Sequence, residues 1–197
     1  FHALRRQIHR NFRKPLIVFT PKSTLRHPNN ASSISEFTGR SSFHRLIEDE
    51  NKNPKRIIFC SGKIFYELDD FRTKNNIKDI KIVRIEQIYP FPFDAIGEII
   101  LKHKESEILW VQEEPKNMGA WSFVKSRIRH VLVKNNLTKK VHYVGRRPAA
   151  APATGISKRH STNQQLIKEL ALKSSLKRVI KERSGVSFMK FKNLPKE

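Results

Sequence analysis

Short apolar runs alternate with amphipathic segments through the middle of the chain. The apolar runs are rich in Ile, Val and aromatic residues and have the length of strands, and they occupy 56–61, 81–91, 108–115 and 139–145. Between them, apolar residues recur at helical spacing, which predicts helices over 63–76, 93–104 and 120–136. The residues expected on the inward faces of these helices are Ile64, Leu68, Phe71, Ile96, Ile99, Ile100, Phe123, Val124, Ile128, Leu132 and Val133.

The order of these elements predicts the fold class. Strands and helices alternate with short connections, and the strands are almost wholly apolar. Both features are typical of an α/β fold, in which a mostly parallel sheet carries helices on both faces. A further helix is expected over 161–172, after a Pro- and Ala-rich loop at 146–155. For the basic segment 173–197, a folded tail and a disordered tail both stay open.

The first part of the chain lacks the regular alternation of predicted strands and helices. Apolar residues at helical spacing predict a helix within 1–14, and since no capping residue precedes it, we expect the chain to continue upstream. The run LIVFT at 16–20 is expected to be a buried strand. Residues 28–55 are polar and rich in Ser and Asn, which predicts a linker between domains.

Charge and composition narrow the class of protein. The 197 residues include 40 Lys and Arg against 18 Asp and Glu, a net charge of +22, with much of the excess in 1–27 and 173–197. Such a charge suits phosphate groups, so a stand-alone basic module that binds nucleic acid is one alternative. The single cysteine excludes a disulfide within the chain, and no apolar run is long enough for a membrane-spanning helix.

Signatures of catalytic chemistry are scarce. The sequence contains no glycine-rich phosphate loop, no nucleophile elbow and no Cys or His set at metal-binding spacing. Cys60 ends an apolar strand and is expected in the core. Glu113 and Glu114 follow a strand, where neighbours point to opposite faces, so they cannot form an acid–base pair. We favour a carboxylate that hydrogen-bonds the turn at Asn117 and Gly119; the alternative is a ligand contact at the carboxyl edge of the sheet.

Two further features have both a structural and a functional interpretation. Gly62 and Gly119 lie where a strand turns toward a helix, a position at which the backbone needs the freedom of glycine. Arg146 and Arg147 precede the Pro- and Ala-rich loop. A guanidinium pair can bind phosphate or carboxylate, but a surface or subunit contact is the favoured interpretation.

Several long motifs occur in a fixed order: FHALRRQIHRNFRKPLIVFTPKSTLRHP, CSGKIFYEL, IVRIEQIYPFP, WVQEEPKNMGAW and YVGRRPAAAPATG, followed by His160 and the stretch 164–166. In this order they resemble the 2-oxoglutarate dehydrogenase family, the thiamine-diphosphate-dependent decarboxylating component. The resemblance covers 1–172. It implies that 1–27 is the last helix and strand of a pyrimidine-binding domain, 28–55 a linker, 56–172 a transketolase-like C-terminal domain and 173–197 a basic tail.

The resemblance also implies a function for the full-length enzyme. Such an enzyme oxidatively decarboxylates 2-oxoglutarate on thiamine diphosphate in the tricarboxylic acid cycle and passes the succinyl group to lipoamide. Thiamine diphosphate and Mg²⁺ would be bound by upstream domains, and because this chain has no Gly-Asp-Gly motif we expect it to be structural and non-catalytic alone, without catalytic, cofactor-binding or metal residues. A 2-oxoadipate dehydrogenase relative is an alternative.

Partners and location follow from the same resemblance. The implied partners are a second copy of the full-length enzyme in a homodimer and a lipoyl-bearing succinyltransferase, with neither nucleic acid nor membrane. The segments HRNFRKPLI and NMGAW resemble mitochondrial members more closely, which favours a location in the mitochondrial matrix; the bacterial cytoplasm is the alternative.

One branch of the family binds acetyl-CoA as an effector near this domain. The counterparts in this chain are Arg6 and Gln87, but Asp94 and Ala95 stand where that branch has an arginine pair. Loss of two cations and gain of an acid weakens binding of an anion, so the effector site is expected to be degenerate. The other site candidates are structural or interface residues, namely Gly62, Glu113, Glu114, Asn117, Gly119, Arg146 and Arg147.

Overall fold

A computed structural model of the chain describes residues 1–182 and Gly185, and it divides the chain into two units, Phe1–Arg45 and Leu46–Glu197. The first unit contains one α-helix, α1 (His2–Ile8), and two single 3-10 turns at Lys22–Thr24 and Ile34–Phe37. The helix predicted within 1–14 is therefore present but shorter than expected.

The strand predicted at 16–20 is wrong. This segment has no regular structure, and Ile17, Val18 and Phe19 are 76%, 67% and 95% exposed. A strand of five residues needs a neighbour to accept and donate its ladder hydrogen bonds, and no described segment pairs with it. Pro15 and Pro21 flank it and cannot donate a backbone hydrogen bond.

The second unit contains a five-stranded sheet in the order β1-β3-β2-β4-β5. Strands β2 to β5 run parallel, and β1 is an antiparallel edge strand on β3. This arrangement confirms the predicted α/β class with a mostly parallel sheet. The strands are β1 (Leu46–Glu48), β2 (Arg56–Cys60), β3 (Ile80–Ile85), β4 (Glu107–Pro115) and β5 (Val141–Arg146).

Helices cover both faces of the sheet, as predicted. Helices α3 and α4 contribute to one buried apolar cluster, and α2, α5 and α6 contribute to a second one. None of the helices in the described part of the chain is long and apolar enough to cross a membrane. The helices are α2 (Ile64–Lys74), α3 (Phe93–Lys102), α4 (Trp121–Lys134), α5 (Ser157–Leu172) and α6 (Leu176–Lys181).

Strand β2 shows why the sequence adopts this layered structure. All five of its residues are buried. Ile57 and Phe59 belong to the cluster beneath α3 and α4, and Ile58 and Cys60 to the cluster beneath α2, α5 and α6. Because successive strand residues point to opposite faces, an unbroken apolar run requires cover on both sides. The expected burial of Cys60 is confirmed, and that burial raises the pKa of its thiol to about 12.

The range predicted as a linker, 28–55, contains strand β1. This strand of three partly exposed residues pairs with β3 and packs Leu46 against the apolar cluster beneath α3 and α4, and polar contacts add to its attachment. The Asp49 carboxylate accepts a hydrogen bond from the backbone N–H of Ile82 at 2.8 Å and pairs with the guanidinium of Arg72. Lys81, which is buried, pairs with Glu48 at 3.0 Å.

Two other predictions need correction in detail. On α4, Val133 was expected to face inward but is 63% exposed, and Val131 is buried in its place. The helix predicted over 161–172 begins earlier, at Ser157. Part of the basic segment 173–197 is folded, because α6 places Val179 fully inside the core. Except for Gly185, residues beyond 182 lie outside the described part.

Arg56 joins the amino end of the sheet to the end of α5. Its Nε donates to Glu107 at 2.7 Å, and its two terminal nitrogens donate to the carbonyls of Ala171 at 2.6 Å and Ser174 at 2.9 Å. The side chain of Arg56 is only 8% exposed, so its guanidinium relies on these three acceptors rather than on water. Guanidinium groups suit such sites because their donors are fixed in a planar fork.

Replacing Arg56 with Ala is expected to lower the free energy of unfolding by about 3 kcal/mol, since a partly buried carboxylate and two helix-end carbonyls lose their donor. Urea denaturation measures the change. The control is Lys55→Ala at the neighbouring position, where the ion pair with Asp79 is 3.6 Å long and the lysine is 84% exposed. That change is expected to cost less than about 0.5 kcal/mol. Equal effects of the two substitutions would contradict the assignment.

Candidate functional site

The carboxyl edge of the sheet contains a topological switch point. From β2 the chain passes through α2 to β3 on one side, and from β3 it passes through α3 to β4 on the other side of β2. The connections that follow β2 and β4 therefore diverge at the carboxyl ends of these two neighbouring strands. In open α/β sheets, ligands bind in the crevice that such a divergence leaves.

Four polar side chains meet at this point, and we call them the edge cluster: Lys63, Glu67, Glu113 and Gln164. Lys63 follows β2, Glu67 lies on α2, Glu113 on β4 and Gln164 on α5. The Lys63 ammonium lies 3.0 Å from Glu113 Oε2 and 3.4 Å from Glu67 Oε1. The Gln164 amide donates to the same carboxylates, at 3.1 Å to Glu113 and 3.2 Å to Glu67.

The two carboxylates of the edge cluster favour the protonated, positively charged form of Lys63. Burial disfavours the ammonium form of Lys63, but the hydrogen bond and charge of Glu113, with those of Glu67, outweigh that effect and raise its pKa above the usual value. Gln164 is 5% exposed, and its carbonyl oxygen has no hydrogen-bonding partner among the described residues. The same holds for the buried carbonyl oxygen of the Asn163 side chain.

A second polar arrangement holds the turn between β4 and α4. Gln112 is 2% exposed, and its carbonyl oxygen accepts from the Trp110 indole N–H at 2.9 Å and from the Trp121 backbone N–H at 3.0 Å. Its amide nitrogen donates to the backbone carbonyls of Met118 at 2.8 Å and Pro115 at 3.1 Å. One buried side chain thus provides hydrogen-bonding partners both for backbone carbonyls of the turn and for the first backbone N–H of α4.

Gly119 lies in the same turn and adopts a backbone conformation that favours glycine, as predicted from the sequence. Its φ is +65°, and a Cβ added there would lie 3.1 Å from the Gln112 amide nitrogen and from the Glu114 side chain. Asn117 joins the turn to the Pro- and Ala-rich loop through two reciprocal hydrogen bonds of 3.0 Å with the backbone of Ala149.

The two consecutive glutamates diverge, as expected. Glu113 belongs to the edge cluster, whereas the side chain of Glu114 lies against Gly119. In the described residues, the side chains that hydrogen-bond at this turn are the amides of Gln112 and Asn117, in place of the predicted carboxylate. Glu113 is the member of the pair that takes part in a charged site.

Tyr143 and the two arginines lie at the end of β5. The Tyr143 hydroxyl donates to the carbonyl of Arg146 at 2.7 Å, and burial together with the charge of Glu114 raises its pKa. Arg146 donates to the carbonyl of Pro152 at 2.7 Å and Arg147 to that of Gly185 at 3.2 Å. Both guanidinium groups thus hold neighbouring backbone in place.

The remaining predicted residues are Arg6, Gln87 and Gly62. Arg6 belongs to the first unit, where its guanidinium carbon lies 5.8 Å from the centre of the Phe43 ring. Gln87 belongs to the second unit and donates to the carbonyl of Pro90 at 2.8 Å. Gly62 has a φ of +74°, and the space around a Cβ added there is open. The degenerate effector site assigned to Arg6 and Gln87, and the structural or interface role assigned to Gly62, stay predictions.

The edge cluster does not fit thiamine diphosphate. A diphosphate needs hydrogen-bond donors and positive charge. The edge cluster instead contains two carboxylates and an unpartnered carbonyl oxygen, with a single ammonium. Among the described residues, no group of three or more His, Cys, Asp or Glu side chains is arranged to hold a metal ion. No step of thiamine chemistry is therefore assigned to the edge cluster.

The residues that the sequence analysis missed are Gln112, Lys63, Glu67 and Gln164. Gln112 had a local signal, since it is a polar residue inside the apolar run ILWVQ. A buried polar side chain in a parallel strand must find partners, and the following turn is the nearest source. The edge cluster had no local signal, because the hydrogen bonds of Gln164 within it reach residues 51 and 97 positions away along the chain.

Comparisons with known proteins agree with the earlier resemblance. A family model described as 2-oxoglutarate dehydrogenase C-terminal matches residues 31–183. The chain is 45% identical over 174 residues to the 2-oxoglutarate dehydrogenase E1 components of Brucella anthropi, Brucella ovis and Brucella canis. Each alignment covers 81% of this chain and 17% of the relative, so the chain spans 17% of the length of these curated relatives. These relatives are bacterial, and they give no support to the expected mitochondrial location.

Replacing Gly119 with Ala is expected to destabilise the fold by about 2–3 kcal/mol, from the left-handed backbone and from contact with Gln112 and Glu114. The control is Gly155→Ala, since Gly155 has a similar φ of +70° but open space around it. This variant isolates the backbone effect, about 1 kcal/mol. Thermal and urea unfolding measure both. If Gly119→Ala costs no more than Gly155→Ala, the close packing of the turn is not a constraint.

Proposed function

Because the chain belongs to the 2-oxoglutarate dehydrogenase C-terminal family, we propose that it forms the C-terminal region of an E1 component that oxidatively decarboxylates 2-oxoglutarate and passes succinyl to lipoamide. The observation that carries this proposal is the family match over residues 31–183. The 45% identity to E1 components of three Brucella species supports it. The mostly parallel sheet with helices on both faces is consistent with a transketolase-like C-terminal domain.

The proposed role of this region is structural. The polar side chains near the carboxyl edge of the sheet form hydrogen bonds with backbone groups of turns and strand ends in the same chain. They are Gln112, Asn117, Tyr143 and Arg146. Thiamine diphosphate, which supplies the carbanion chemistry of 2-oxo acid decarboxylation, and its Mg²⁺ would be held by domains upstream of this one. The chain alone is therefore proposed to be inactive, and the catalytic groups would belong to the larger polypeptide.

The proposal extends to partners and location. The E1 component would work as a homodimer and deliver succinyl groups to a lipoyl-bearing succinyltransferase. The bacterial relatives support the bacterial cytoplasm as its location. An acetyl-CoA effector site at Arg6 and Gln87 would be degenerate, because Asp94 adds negative charge where an anion would bind.

Exchange of the C-terminal region tests the proposal. Residues 31–182 replace the matching region of the Brucella anthropi E1 component, and the chimera is assayed for decarboxylation of 2-oxoglutarate and succinyl transfer to lipoamide. We expect activity within about tenfold of the parent, because the catalytic domains are unchanged; this limit corresponds to a barrier change of about 1.4 kcal/mol. The 197-residue chain alone, with thiamine diphosphate and Mg²⁺, is expected to show no turnover.

Two controls make the exchange decisive. A chimera that also carries Arg56→Ala is expected to lose activity in proportion to its loss of folded protein. A parent from which the region is deleted is expected to be inactive. A chimera that is folded and dimeric but fails to decarboxylate 2-oxoglutarate would contradict the proposed function, as would turnover by the 197-residue chain alone.

A further inference from the structure

Helices α3 and α4 leave a groove of about 500 Å³ on the surface of the second unit, and we call it the helix groove. Gly97 of α3 packs there against Val131 of α4, since a Cβ added to the glycine would lie 3.7 Å from a Val131 methyl carbon. Phe93 and Leu101, one helical turn before and after Gly97, line the groove and are 43% and 38% exposed. Two large apolar side chains on one stripe of α3 are therefore partly open to solvent.

The two sides of the helix groove carry opposite charges. Asp94 and Glu98, one turn apart, line it on α3, and His130 and Lys134, also one turn apart, line it on α4. Glu98 and Lys134 are exposed, and neither forms an ion pair with a residue in the described part of the chain. An acidic side and a basic side are thus both accessible to the charges of a partner.

This combination of both signs of charge with apolar residues favours a protein segment as the occupant. A nucleic acid or an anionic lipid surface would bring phosphate groups next to Asp94 and Glu98, which repel them. The net charge of +22 attracts polyanions to the chain as a whole, but the acidic side of the groove opposes them at this place. A protein segment can instead present acidic, apolar and basic residues side by side.

We propose that the helix groove binds an amphipathic helix of a partner protein, with an apolar stripe against Phe93 and Leu101, a basic flank along α3 and an acidic flank along α4. The two apolar residues lie two turns apart on α3, which corresponds to about 12 Å along the helix axis. Apolar residues at positions i, i+4 and i+7 of a partner helix span about the same length, and this is the anchor spacing with which helices occupy grooves. The inference does not depend on the proposed function.

A designed peptide tests the groove. The probe is a fluorescein-labelled helical peptide of about 18 residues, or five turns, with leucines along one stripe, glutamates on one flank and lysines on the other. Its binding to the 197-residue chain is measured by fluorescence anisotropy. Replacing Lys134 with Glu makes both sides of the groove acidic, so we expect the peptide to bind about tenfold more weakly. A peptide with serines in place of the leucines is expected not to bind.

Exchange of charge between the two sides separates the groove from the overall charge of the chain. The double variant Glu98→Lys with Lys134→Glu has the same net charge as the unmodified chain, and it again offers a lysine to the glutamates of the peptide. A helix can lie in a groove in either direction, so we expect the double variant to recover most of the affinity and to bind the peptide in the reverse direction. A spin label at the amino terminus of the peptide reports the direction, because it broadens the NMR signals at one end of the groove, Phe93 or Leu101.

The matched control is Lys177→Glu on α6, an equal change of charge at an exposed position on the opposite face of the sheet, and it is expected to leave the affinity unchanged. Circular dichroism verifies the folded state of each variant. Equal weakening by Lys177→Glu and Lys134→Glu would assign the binding to net charge and overturn the proposal. Absence of saturable peptide binding, or a folded double variant that recovers no affinity, would also overturn it.

Two further measurements distinguish other occupants. Binding of a DNA duplex is followed by anisotropy, and self-association of the chain by sedimentation, each with and without Lys134→Glu. We expect neither to depend on this residue beyond the effect of Lys177→Glu. Duplex binding that Lys134→Glu alone abolishes would assign the groove to nucleic acid, and self-association that it alone abolishes would assign it to a second copy of the chain; either result would overturn the proposal.

Discussion

Complete burial of β2 is the constraint on which the second unit depends. All five residues of this strand are shielded from water, and the four that follow Arg56 alternate between two apolar clusters. Such a strand needs a hydrogen-bonded neighbour on each side and helices on each face, because neither its backbone nor its side chains can face solvent. Strands β3 and β4 supply the neighbours, α3 and α4 cover one face, and α2, α5 and α6 cover the other. At the amino end, Arg56 extends this arrangement by binding the end of α5.

The central position of β2 also determines what lies at the carboxyl edge. Since β2 and β4 are adjacent and parallel, Lys63, which follows one strand, reaches Glu113 near the end of the other. Helix α5 covers the same face and adds Gln164. On the opposite side of β4, Gln112 holds the turn into α4 with four hydrogen bonds of 2.8–3.1 Å. The edge thus combines a rigid turn with a charged cluster that retains an unpartnered acceptor.

The sequence was informative where structure depends on local pattern and misleading where it depends on distant partners. The four parallel strands and three intervening helices follow from apolar runs and helical spacing, and Gly119 was recognised from its place in a turn. The run at 16–20 has the composition of a strand but lacks a described partner. Strand β1 is too short to stand out in the sequence, yet it pairs with β3, packs Leu46 against the core and is followed by Asp49, which binds Ile82 and Arg72. The edge cluster could not be foreseen, since its contacts join residues 51 and 97 positions apart.

Membership of a larger E1 polypeptide is tested most directly by the mass of the polypeptide that contains this sequence. Proteins of the source organism are separated by size under denaturing conditions, and each fraction is searched by mass spectrometry for the tryptic peptide IEQIYPFPFDAIGEIILK, residues 85–102. The account predicts that the peptide occurs in a polypeptide several times heavier than 23.1 kDa, together with peptides of thiamine-diphosphate-binding domains. A peptide found only near 23.1 kDa would contradict it and would leave a free-standing domain.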